Sequence, residues 1–219
     1  NGEKLKIIPT EETLIKNEFI NSLVSNNDFI FLLNTFGSVY SVNNNGQVRW
    51  FSNLNQSMDI NSSNLFSSKP LVLHQNKLFI STNLYLYILD INTGATLFKI
   101  AVSSLISPII SGDNLFLISK DNLLMCLDVK TNEVLYSVDI DQSLADFLDT
   151  KKKSISIKSL TIANNDLLLF LNNSYLVSFN STGKVKNTVK LPSKPYSLPM
   201  FVNDLIIYLD NKNKLIIVN

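Results

Sequence analysis

The stretch Tyr87-Ile-Leu-Asp-Ile-Asn-Thr-Gly-Ala-Thr-Leu-Phe98 decides the fold, because its pattern returns along the chain. It consists of a β-rich run, a polar turn that opens with Asp90, and a second β-rich run that ends in an aromatic residue. The same order is found in three other stretches: Tyr40–Trp50, Met125–Tyr136 and Val177–Val185. Self-similarity of this kind is typical of repeat architectures such as propellers and solenoids.

The residue that opens each turn gives the period of the repeat. These residues are Asn43, Asp90, Asp128, Asn180 and Asn219, and neighbours in the series lie 38 to 52 residues apart. The shortest spacings match one four-stranded propeller blade of about 40 residues. The longer spacings imply inserted loops.

Each repeat divides into four short runs separated by polar pairs, as antiparallel meanders require. In the second repeat we expect strands over 70–74, 77–82, 85–91 and 96–102. In the third we expect them over 107–111, 114–119, 123–129 and 133–140. Pro70, Pro108 and Pro199 fall at the starts of first strands, where a missing N–H does least harm. The sequence therefore predicts an all-β fold, a β-propeller with about five four-stranded antiparallel blades.

The expected domain organisation is one β-propeller domain, or a fragment of one, over residues 1–219. Its blades are predicted at 17–52, 67–102, 105–140, 155–190 and 196–219. Asn1–Ile8 has the pattern of a fourth strand without its first three, and Asn213–Asn219 that of a third strand without its fourth. The chain is either a five-bladed ring closed by its own ends or the C-terminal piece of a larger ring. We favour the second, because repeats of this type usually close with more blades.

The composition excludes several classes of protein. Lys and Arg number 19 and Asp and Glu 18, so the chain lacks the strong basic charge of a nucleic-acid-binding protein. Hydrophobic residues make up 45 %, which is enough for a large core and argues against disorder. One cysteine and one histidine exclude an internal disulfide and a Cys/His zinc cluster. The apolar runs are far shorter than the roughly 20 residues of a membrane-spanning helix.

No catalytic constellation can be assembled from these residues. A nucleophile–histidine pair would need His74, which we interpret as a strand-end residue at a turn. Cys126 lies in an apolar strand and is expected to be a buried, inert thiol. Asp139 and Asp141 are interpreted as solvated loop charges, and so are Lys151–Lys153. The sequence therefore predicts no enzyme activity, no cofactor and no metal.

Three aromatic residues share one place in the repeat. Trp50, Phe98 and Tyr136 each come four residues after the turn position. Because this place recurs, we expect the rings to wedge between neighbouring blades as packing residues, and not to form a single binding site.

Three irregular segments interrupt the repeats: 9–17, 53–66 and 141–153. The last of them includes Ser143–Leu148, which is expected to form one or two helical turns. All three join a fourth strand to the next first strand, so they are predicted to lie on one face of the propeller. Insertions collected on one face commonly form the binding face of repeat proteins.

The repeat resembles the quinoprotein-type (PQQ-like) propeller repeat. The resemblance lies in Leu105-Ile-Ser-Pro-Ile-Ile110, which carries Ser-x-Pro before a strand, and in the Leu-Asp-turn-aromatic order of Leu127–Tyr136. Within that group the chain resembles the BamB family of outer-membrane assembly factors. The shared features are the polar insertion Asn53–Ser68 ahead of Lys69-Pro-Leu-Val72, and the segment Ile8–Glu18.

The BamB resemblance implies a specific set of expectations. The chain would be the C-terminal part of an eight-bladed ring and a non-catalytic scaffold that binds a BamA-like protein and nascent outer-membrane proteins. Its location would be the periplasmic face of the bacterial outer membrane, reached through an N-terminal lipid anchor outside this chain. The partner-binding residues that the resemblance implies are Leu14, Ile15 and Lys16, with Leu65 and Phe66 in the second insertion.

Two other functions remain open from the sequence. The first is a generic ligand- or protein-binding PQQ-like propeller with a different partner. The second is a quinone-dependent dehydrogenase, in which the cofactor lies with calcium against paired cysteines and a tryptophan. The chain has a single Cys and a single Trp, which speaks against the second function.

Overall fold

The computed structural model describes residues 6–11, 22–55, 66 and 68–219. Within these residues the regular secondary structure is β-strand, except for a single α-helix. The chain divides into two compact units, Asn1–Ser107 and Pro108–Asn219.

The first unit contains two four-stranded antiparallel sheets whose strands pair in chain order. Sheet 1 consists of β1 (Leu23–Ser25), β2 (Phe29–Leu33), β3 (Ser38–Asn43) and β4 (Val48–Asn53). Sheet 2 consists of β5 (Val72–His74), β6 (Lys77–Ser81), β7 (Leu86–Asp90) and β8 (Thr96–Ile100). A meander of four short strands is the architecture of a propeller blade.

The second unit contains three sheets and the helix. Sheet 3 consists of β9 (Ile109–Ser111), β10 (Asn114–Ile118), β11 (Leu123–Asp128) and β12 (Val134–Asp139), and helix α1 (Ile140–Phe147) follows it. Sheet 4 consists of β13 (Ile157–Ala163), β14 (Asp166–Leu171), β15 (Tyr175–Phe179) and β16 (Val185–Lys190). Sheet 5 has three strands, β17 (Met200–Val202), β18 (Leu205–Leu209) and β19 (Leu215–Val218).

The strands predicted in the second and third repeats are confirmed to within two residues at each end. The first strands begin just after the three prolines, at residues 72, 109 and 200. A proline has no N–H to give to the ladder, so pairing starts one or two residues later.

The turns between third and fourth strands are held by the Asp or Asn that opens them. In sheet 2, Oδ1 of Asp90 accepts hydrogen bonds from the backbone N–H groups of Asn92 and Thr93, at 2.9 and 2.8 Å. In sheet 3, the Asp128 carboxylate accepts the N–H groups of Lys130 and Thr131 in the same way. An Asp side chain that accepts backbone N–H groups further round its own turn stabilises that turn.

Trp50 connects sheet 1 to the turn that closes sheet 2. Its indole N–H donates a hydrogen bond to the carbonyl of Ile91 at 2.9 Å, and its ring lies on Gly94. A Cβ at Gly94 would stand 2.4 Å from the ring, and φ is +74°. Glycine is therefore required here both by the backbone conformation and by the close approach of the indole.

Tyr136 makes the same contact between sheets 3 and 4. Its hydroxyl donates to the carbonyl of Ser181 at 2.9 Å, and its ring lies 2.9 Å from the place that a Cβ would take at Gly183. The predicted wedge is thus confirmed for Trp50 and Tyr136, while Phe98 is half-buried.

Lys6 occupies the equivalent place ahead of sheet 1. Its aliphatic chain covers Gly46, where a Cβ would stand 2.6 Å from Cδ. Its ammonium group donates to the carbonyl of Asn45 at 2.9 Å. Most of Asn1–Ile8, which was predicted to form a fourth strand, lies outside the described residues. Its described part, residues 6–8, is not in a strand.

Sheets 1 and 2 share one apolar core. Phe31 and Val39 from sheet 1 meet Leu78, Ile80 and Leu89 from sheet 2, and none of these side chains has measurable exposed surface. Burying one such side chain contributes about 1.5–3 kcal/mol. This core positions the turns and connections at the ends of the two sheets.

Sheet 5 has one face packed against sheet 4 and one face on which, among the described residues, large apolar side chains are exposed. Tyr208 packs against Phe170 and Leu176 of sheet 4. On the opposite face, Met200 pairs with Ile207 and Ile207 pairs with Ile217, so the three share one side of the sheet. Met200 and Ile217 are 66 and 57 % exposed.

Candidate protein-docking site

Only one of the five predicted partner-binding residues lies in the described part of the chain. Leu14, Ile15, Lys16 and Leu65 lie outside the described residues. Phe66 is described, and so are the residues that flank both insertions. The site is therefore built from the groups that hold the ends of the predicted docking segments.

Glu11 ties the start of the first segment to sheet 1. Its carboxylate accepts hydrogen bonds from Asn34 Nδ2 at 2.6 Å, from Ser38 Oγ at 2.7 Å and from the hydroxyl of Tyr40. All three donors are buried. Asn34 is itself fixed, because its Oδ1 accepts the backbone N–H groups of Phe36 and Ser38 in the turn between β2 and β3.

The electrostatics of this contact favour an ionised carboxylate beside a neutral phenol. Partial burial raises the pKa of Glu11, but the hydrogen bonds from Tyr40, Ser38 and Asn34 outweigh it and hold the pKa below its ordinary value. Burial, together with the hydrogen bond and the charge of Glu11, raises the pKa of Tyr40 to about 12. The contact is therefore intact throughout the neutral pH range.

Ser22 ties the other end of the same segment. Its hydroxyl accepts the backbone N–H of Leu71 at 2.7 Å, and its carbonyl accepts the N–H of Leu33 at 3.3 Å. The described residues on either side of positions 12–21, Glu11 and Ser22, are thus both anchored on the sheets of the first unit.

Phe66 holds the end of the second insertion. Its N–H donates to the carbonyl of Thr35 at 2.8 Å, and its half-buried ring packs against the core of sheets 1 and 2. The ring lies over Gly37, where φ is +84° and a Cβ would stand 2.8 Å from Phe66 Cδ2. The structure places Phe66 in packing contacts at the same turn that binds Glu11.

The third insertion is built around helix α1. The predicted helical turns are confirmed, but the helix starts at Ile140 because Asp139 caps it, its Oδ1 accepting the N–H of Gln142 at 2.9 Å. The second oxygen of Asp139 forms an exposed ion pair with Lys152 at 2.5 Å. This pair, with the hydrogen bond from Gln142, lowers the pKa of Asp139.

The interpretation of Asp141 as a solvated loop charge is wrong. Asp141 is buried, and both of its oxygens accept hydrogen bonds from Asn122 Nδ2, at 3.0 and 3.2 Å. Oδ1 also accepts the N–H of Ile155 at 3.1 Å. The first helical turn points this carboxylate inward, onto the turn between β10 and β11. Lys151, Lys152 and Lys153 are all exposed, as expected, and Lys152 adds the ion pair with Asp139.

Sequence reasoning missed Glu11, Asn34 and Asn122, because their contacts join residues about 20 positions apart in the chain. The first insertion carries Glu11, which binds Asn34 at the start of the turn between β2 and β3. The third insertion carries Asp141, which binds Asn122 at the end of the turn between β10 and β11. Both pairs tie an inserted segment to the turn between second and third strands of a sheet.

The residues considered for catalysis are unsuited to it. Burial raises the pKa of the Cys126 thiol to about 11, so the nucleophilic thiolate is scarce at neutral pH. His74 ends β5, and its Nε2 has no hydrogen-bond partner among the described residues. The described ranges contain no cluster of three metal-ligating side chains. No helix in the described part of the chain has the length and apolar character needed to cross a bilayer.

Comparison with known proteins gives a family and a fold. Residues 17–138, more than half of the chain, match the family described as "Outer membrane protein assembly factor BamB". None of the curated protein sequences is significantly similar to the chain.

Two solved structures share the fold at low sequence identity. The crystal structure of BamB from Moraxella catarrhalis superposes with a TM-score of 0.71 at 12 % identity, over 96 % of this chain and 61 % of that one. The computationally designed Ika8 protein superposes with a TM-score of 0.66 at 12 % identity, over 89 % of this chain and 56 % of that one. The chain thus has the fold of a BamB-like β-propeller and spans about three-fifths of the length of the Moraxella structure.

Proposed function

Because the chain belongs to the family of the outer membrane protein assembly factor BamB, we propose that it is a non-catalytic scaffold of the outer-membrane β-barrel assembly machinery. In this proposal it binds a BamA-like protein, and nascent outer-membrane proteins, through the connections between its sheets. Its place is the periplasmic face of the bacterial outer membrane, reached by a lipid anchor outside these 219 residues. It forms one propeller domain that belongs to an eight-bladed ring.

The proposed docking residues are Leu14, Ile15 and Lys16, supported by Leu65 and Phe66. Two apolar side chains beside a cation suit the core and rim of a protein interface. The observation that carries the proposal is that Glu11 and Ser22 fasten both ends of the segment 12–21 to the sheets. A segment fastened at both ends loses less conformational entropy when it binds than one that hangs free.

The test introduces negative charge in place of an apolar and a positively charged residue in the segment 12–21. The double variant Ile15→Glu/Lys16→Glu should weaken binding to the purified BamA homologue of the same organism at least tenfold, which is about 1.4 kcal/mol. The dissociation constant is measured by biolayer interferometry. Leu97→Glu is the matched control, because Leu97 is an exposed apolar residue on the outer strand β8.

The control should bind like the wild type. If the double variant also binds like the wild type while circular dichroism shows both proteins to be folded, the assignment of the docking segment is wrong.

A further inference from the structure

The connection between sheets 4 and 5 carries two exposed apolar side chains. It covers residues 191–199, from the end of β16 to the start of β17. Tyr196 and Leu198 on this connection are 67 and 70 % exposed. Loops that a rigid sheet positions often carry binding residues. What lies around Tyr196 and Leu198 therefore decides which kind of partner could cover them.

Strand β18 holds the connection in place. The N–H groups of Tyr196 and Ser197 both donate to the carbonyl of Leu209, at 2.7 and 3.2 Å, and Ser197 Oγ accepts the N–H of Leu209 at 3.0 Å. The hydroxyl of the buried Tyr208 donates to the carbonyl of Ser193 at 3.0 Å. A surface that is held in one conformation before binding loses little conformational entropy when a partner arrives.

Two lysines lie at the connection itself. Lys194 is exposed and comes two residues before Tyr196. Lys158, from β13 of sheet 4, places its Nζ 5.9 Å from the centre of the Tyr196 ring, within the range of a cation–π contact. Neither lysine forms an ion pair with a described residue. The Tyr196 ring thus has positive charge on both sides of it along the chain and in space.

Two more lysines lie in the adjoining turn of sheet 5. Lys212 and Lys214 are exposed in the turn between β18 and β19. Asp210 opens this turn and forms a β-bridge with Pro195 of the connection. The Asp210 side chain is buried, and its Oδ1 accepts the N–H groups of Lys212 and Lys214, at 2.8 and 2.9 Å. The turn therefore exposes two cations, while its single carboxylate is buried.

Few carboxylates oppose these lysines. Residues 154–219 contain seven lysines and three carboxylates, Asp166, Asp204 and Asp210. Asp166 is paired with Lys186. Asp166 starts β14 and Asp204 precedes β18, so each lies at the end of its sheet that is opposite to the connection, about 16 Å away along the strand. Among these three carboxylates, only the buried Asp210 lies near the connection, against four lysines.

The neighbouring connection between sheets 3 and 4 does not cancel this positive charge. Helix α1 in that connection contacts β16 of sheet 4. Outside its internal ion pair, the connection has four exposed charged side chains, and they balance one another: Asp146, Asp149, Lys151 and Lys153. The positive charge around Tyr196 therefore remains when the carboxylates of α1 are included.

We propose that Lys158, Lys194, Tyr196, Leu198, Lys212 and Lys214 form a docking surface, the sheet 4–5 surface, for an acidic protein segment that carries apolar side chains. The partner's apolar side chains cover Tyr196 and Leu198, and its carboxylates meet the lysines. The sign of the partner's charge follows from four lysines beside one buried carboxylate. The surface lies within the second unit and does not depend on the docking segment 12–21.

The arrangement of the lysines favours a protein over an anionic membrane. Lys158 is half-buried against Tyr196, which leaves three exposed lysines. That number is below the roughly four to eight of a basic cluster that binds anionic lipid. Tyrosine, in contrast, is among the residues that contribute most to the affinity of protein interfaces.

The experiment uses two synthetic peptides and the 219-residue chain. One twelve-residue peptide repeats Glu-Leu-Ser, and the other repeats Lys-Leu-Ser. Fluorescence anisotropy of labelled peptide should show binding of the acidic peptide and at least tenfold weaker binding of the basic one. The variant Tyr196→Ser/Leu198→Ser should weaken binding of the acidic peptide at least tenfold. Its matched control is Val134→Ser/Leu135→Ser, which removes two exposed apolar side chains from β12 and should bind like the wild type.

A charge swap tests the lysines separately. Lys194→Glu/Lys212→Glu should reverse the preference, so that the basic peptide binds more tightly than the acidic one. Lys120→Glu/Lys184→Glu is the control for net charge, because it changes the charge of the chain equally. Lys120 is an exposed residue of sheet 3, and Lys184 is exposed at the end of β16 that is opposite to the connection. This control should keep the wild-type preference, and circular dichroism checks that all variants are folded.

Four results would overturn the proposal. The first is the absence of acidic-peptide binding by the wild-type chain. The second is wild-type affinity in the folded Tyr196→Ser/Leu198→Ser variant, and the third is an equal change of preference in the two lysine variants. The fourth is binding of the wild type to vesicles of phosphatidylglycerol without preference between the peptides, which would assign the sheet 4–5 surface to a membrane.

Discussion

Sheet 2 and sheet 5 carry similar side chains at equivalent places, but only sheet 2 is buried on both faces. Aligning the turn residues Asp90 and Asn219 places Leu86 opposite Leu215, and Ile88 opposite Ile217. Leu86 and Ile88 are 0 and 1 % exposed, whereas Leu215 and Ile217 are 63 and 57 % exposed.

The comparison teaches that a blade carries apolar residues on both faces of its sheet, whether or not another sheet packs against each face. Burial is then decided by what lies next to the sheet. An apolar sheet face of this kind is unusual on a soluble surface and marks a contact. In the proposed eight-bladed ring, a further blade would cover it.

The largest expected effect is the difference in stability between alanine variants of Leu86 and Leu215. Leu86→Ala removes a fully buried side chain and should lower the free energy of unfolding by about 2–5 kcal/mol. Leu215→Ala removes an exposed one and should change it by less than about 0.5 kcal/mol. Urea denaturation followed by circular dichroism measures both. A similar loss for the two variants would mean that the face of sheet 5 is covered in solution, for instance by a second copy.

A smaller effect concerns the contact that sheet 2 receives from Trp50. Gly94→Ala forces a left-handed backbone on alanine, which costs about 1–2 kcal/mol, and also displaces the indole. Gly112→Ala has the same backbone problem at φ +58° but meets no atom within 4 Å. We therefore expect Gly94→Ala to be the more destabilising, by about 1 kcal/mol for the lost aromatic packing.

The single tryptophan reports directly on this pair of variants. Its emission should shift to the red in Gly94→Ala and stay unchanged in Gly112→Ala. Equal stability and equal emission in the two variants would show that the indole contact adds nothing to the sheet.

The smallest effect is the pH dependence of the turn in sheet 2. Burial raises the pKa of Asp90, but hydrogen bonds from Thr93 and Asn92 outweigh it, so the pKa in the folded state lies below its ordinary value. The Asp90 carboxylate therefore makes its full contribution to the free energy of unfolding above its unfolded-state pKa. That contribution is lost as the pH falls through its folded-state pKa.

The variant Asp90→Asn removes this titration and keeps the turn, because Asn43 and Asn180 accept the backbone N–H of the residue two places on in their own sheets, as Asp90 does from Asn92. The difference in urea midpoint between wild type and variant should be smaller at pH 3 than at pH 7. An unchanged difference would show that Asp90 does not titrate with folding.

The repeated part of the fold could be predicted from sequence because its determinants are local. The turn residue, the glycine with positive φ and the aromatic residue four places later all lie within one hairpin, so the pattern of Tyr87–Phe98 contains them. The bounds of α1 were less accurate, because the Asp139 cap starts the helix before the apolar residues indicate it.

The candidate site was harder to predict because its contacts join distant residues. Glu11 and Tyr40 are 29 positions apart, and Asn122 and Asp141 are 19 apart. Nothing in the local sequence distinguishes these carboxylates from solvated ones. The docking residues Leu14, Ile15, Lys16 and Leu65 stay a prediction, since they lie outside the described residues.

The lysine that covers Gly46 has a consequence for how such chains diverge. The turn glycine is covered by an indole at Gly94, by a phenol at Gly183 and by an alkyl chain at Gly46. The residue at the turn itself must in each case adopt a left-handed backbone. Selection can therefore change the upper partner freely and must conserve the lower one. Proteins that share this architecture at 12 % identity are better recognised by the spacing of their left-handed turn positions than by matching side chains.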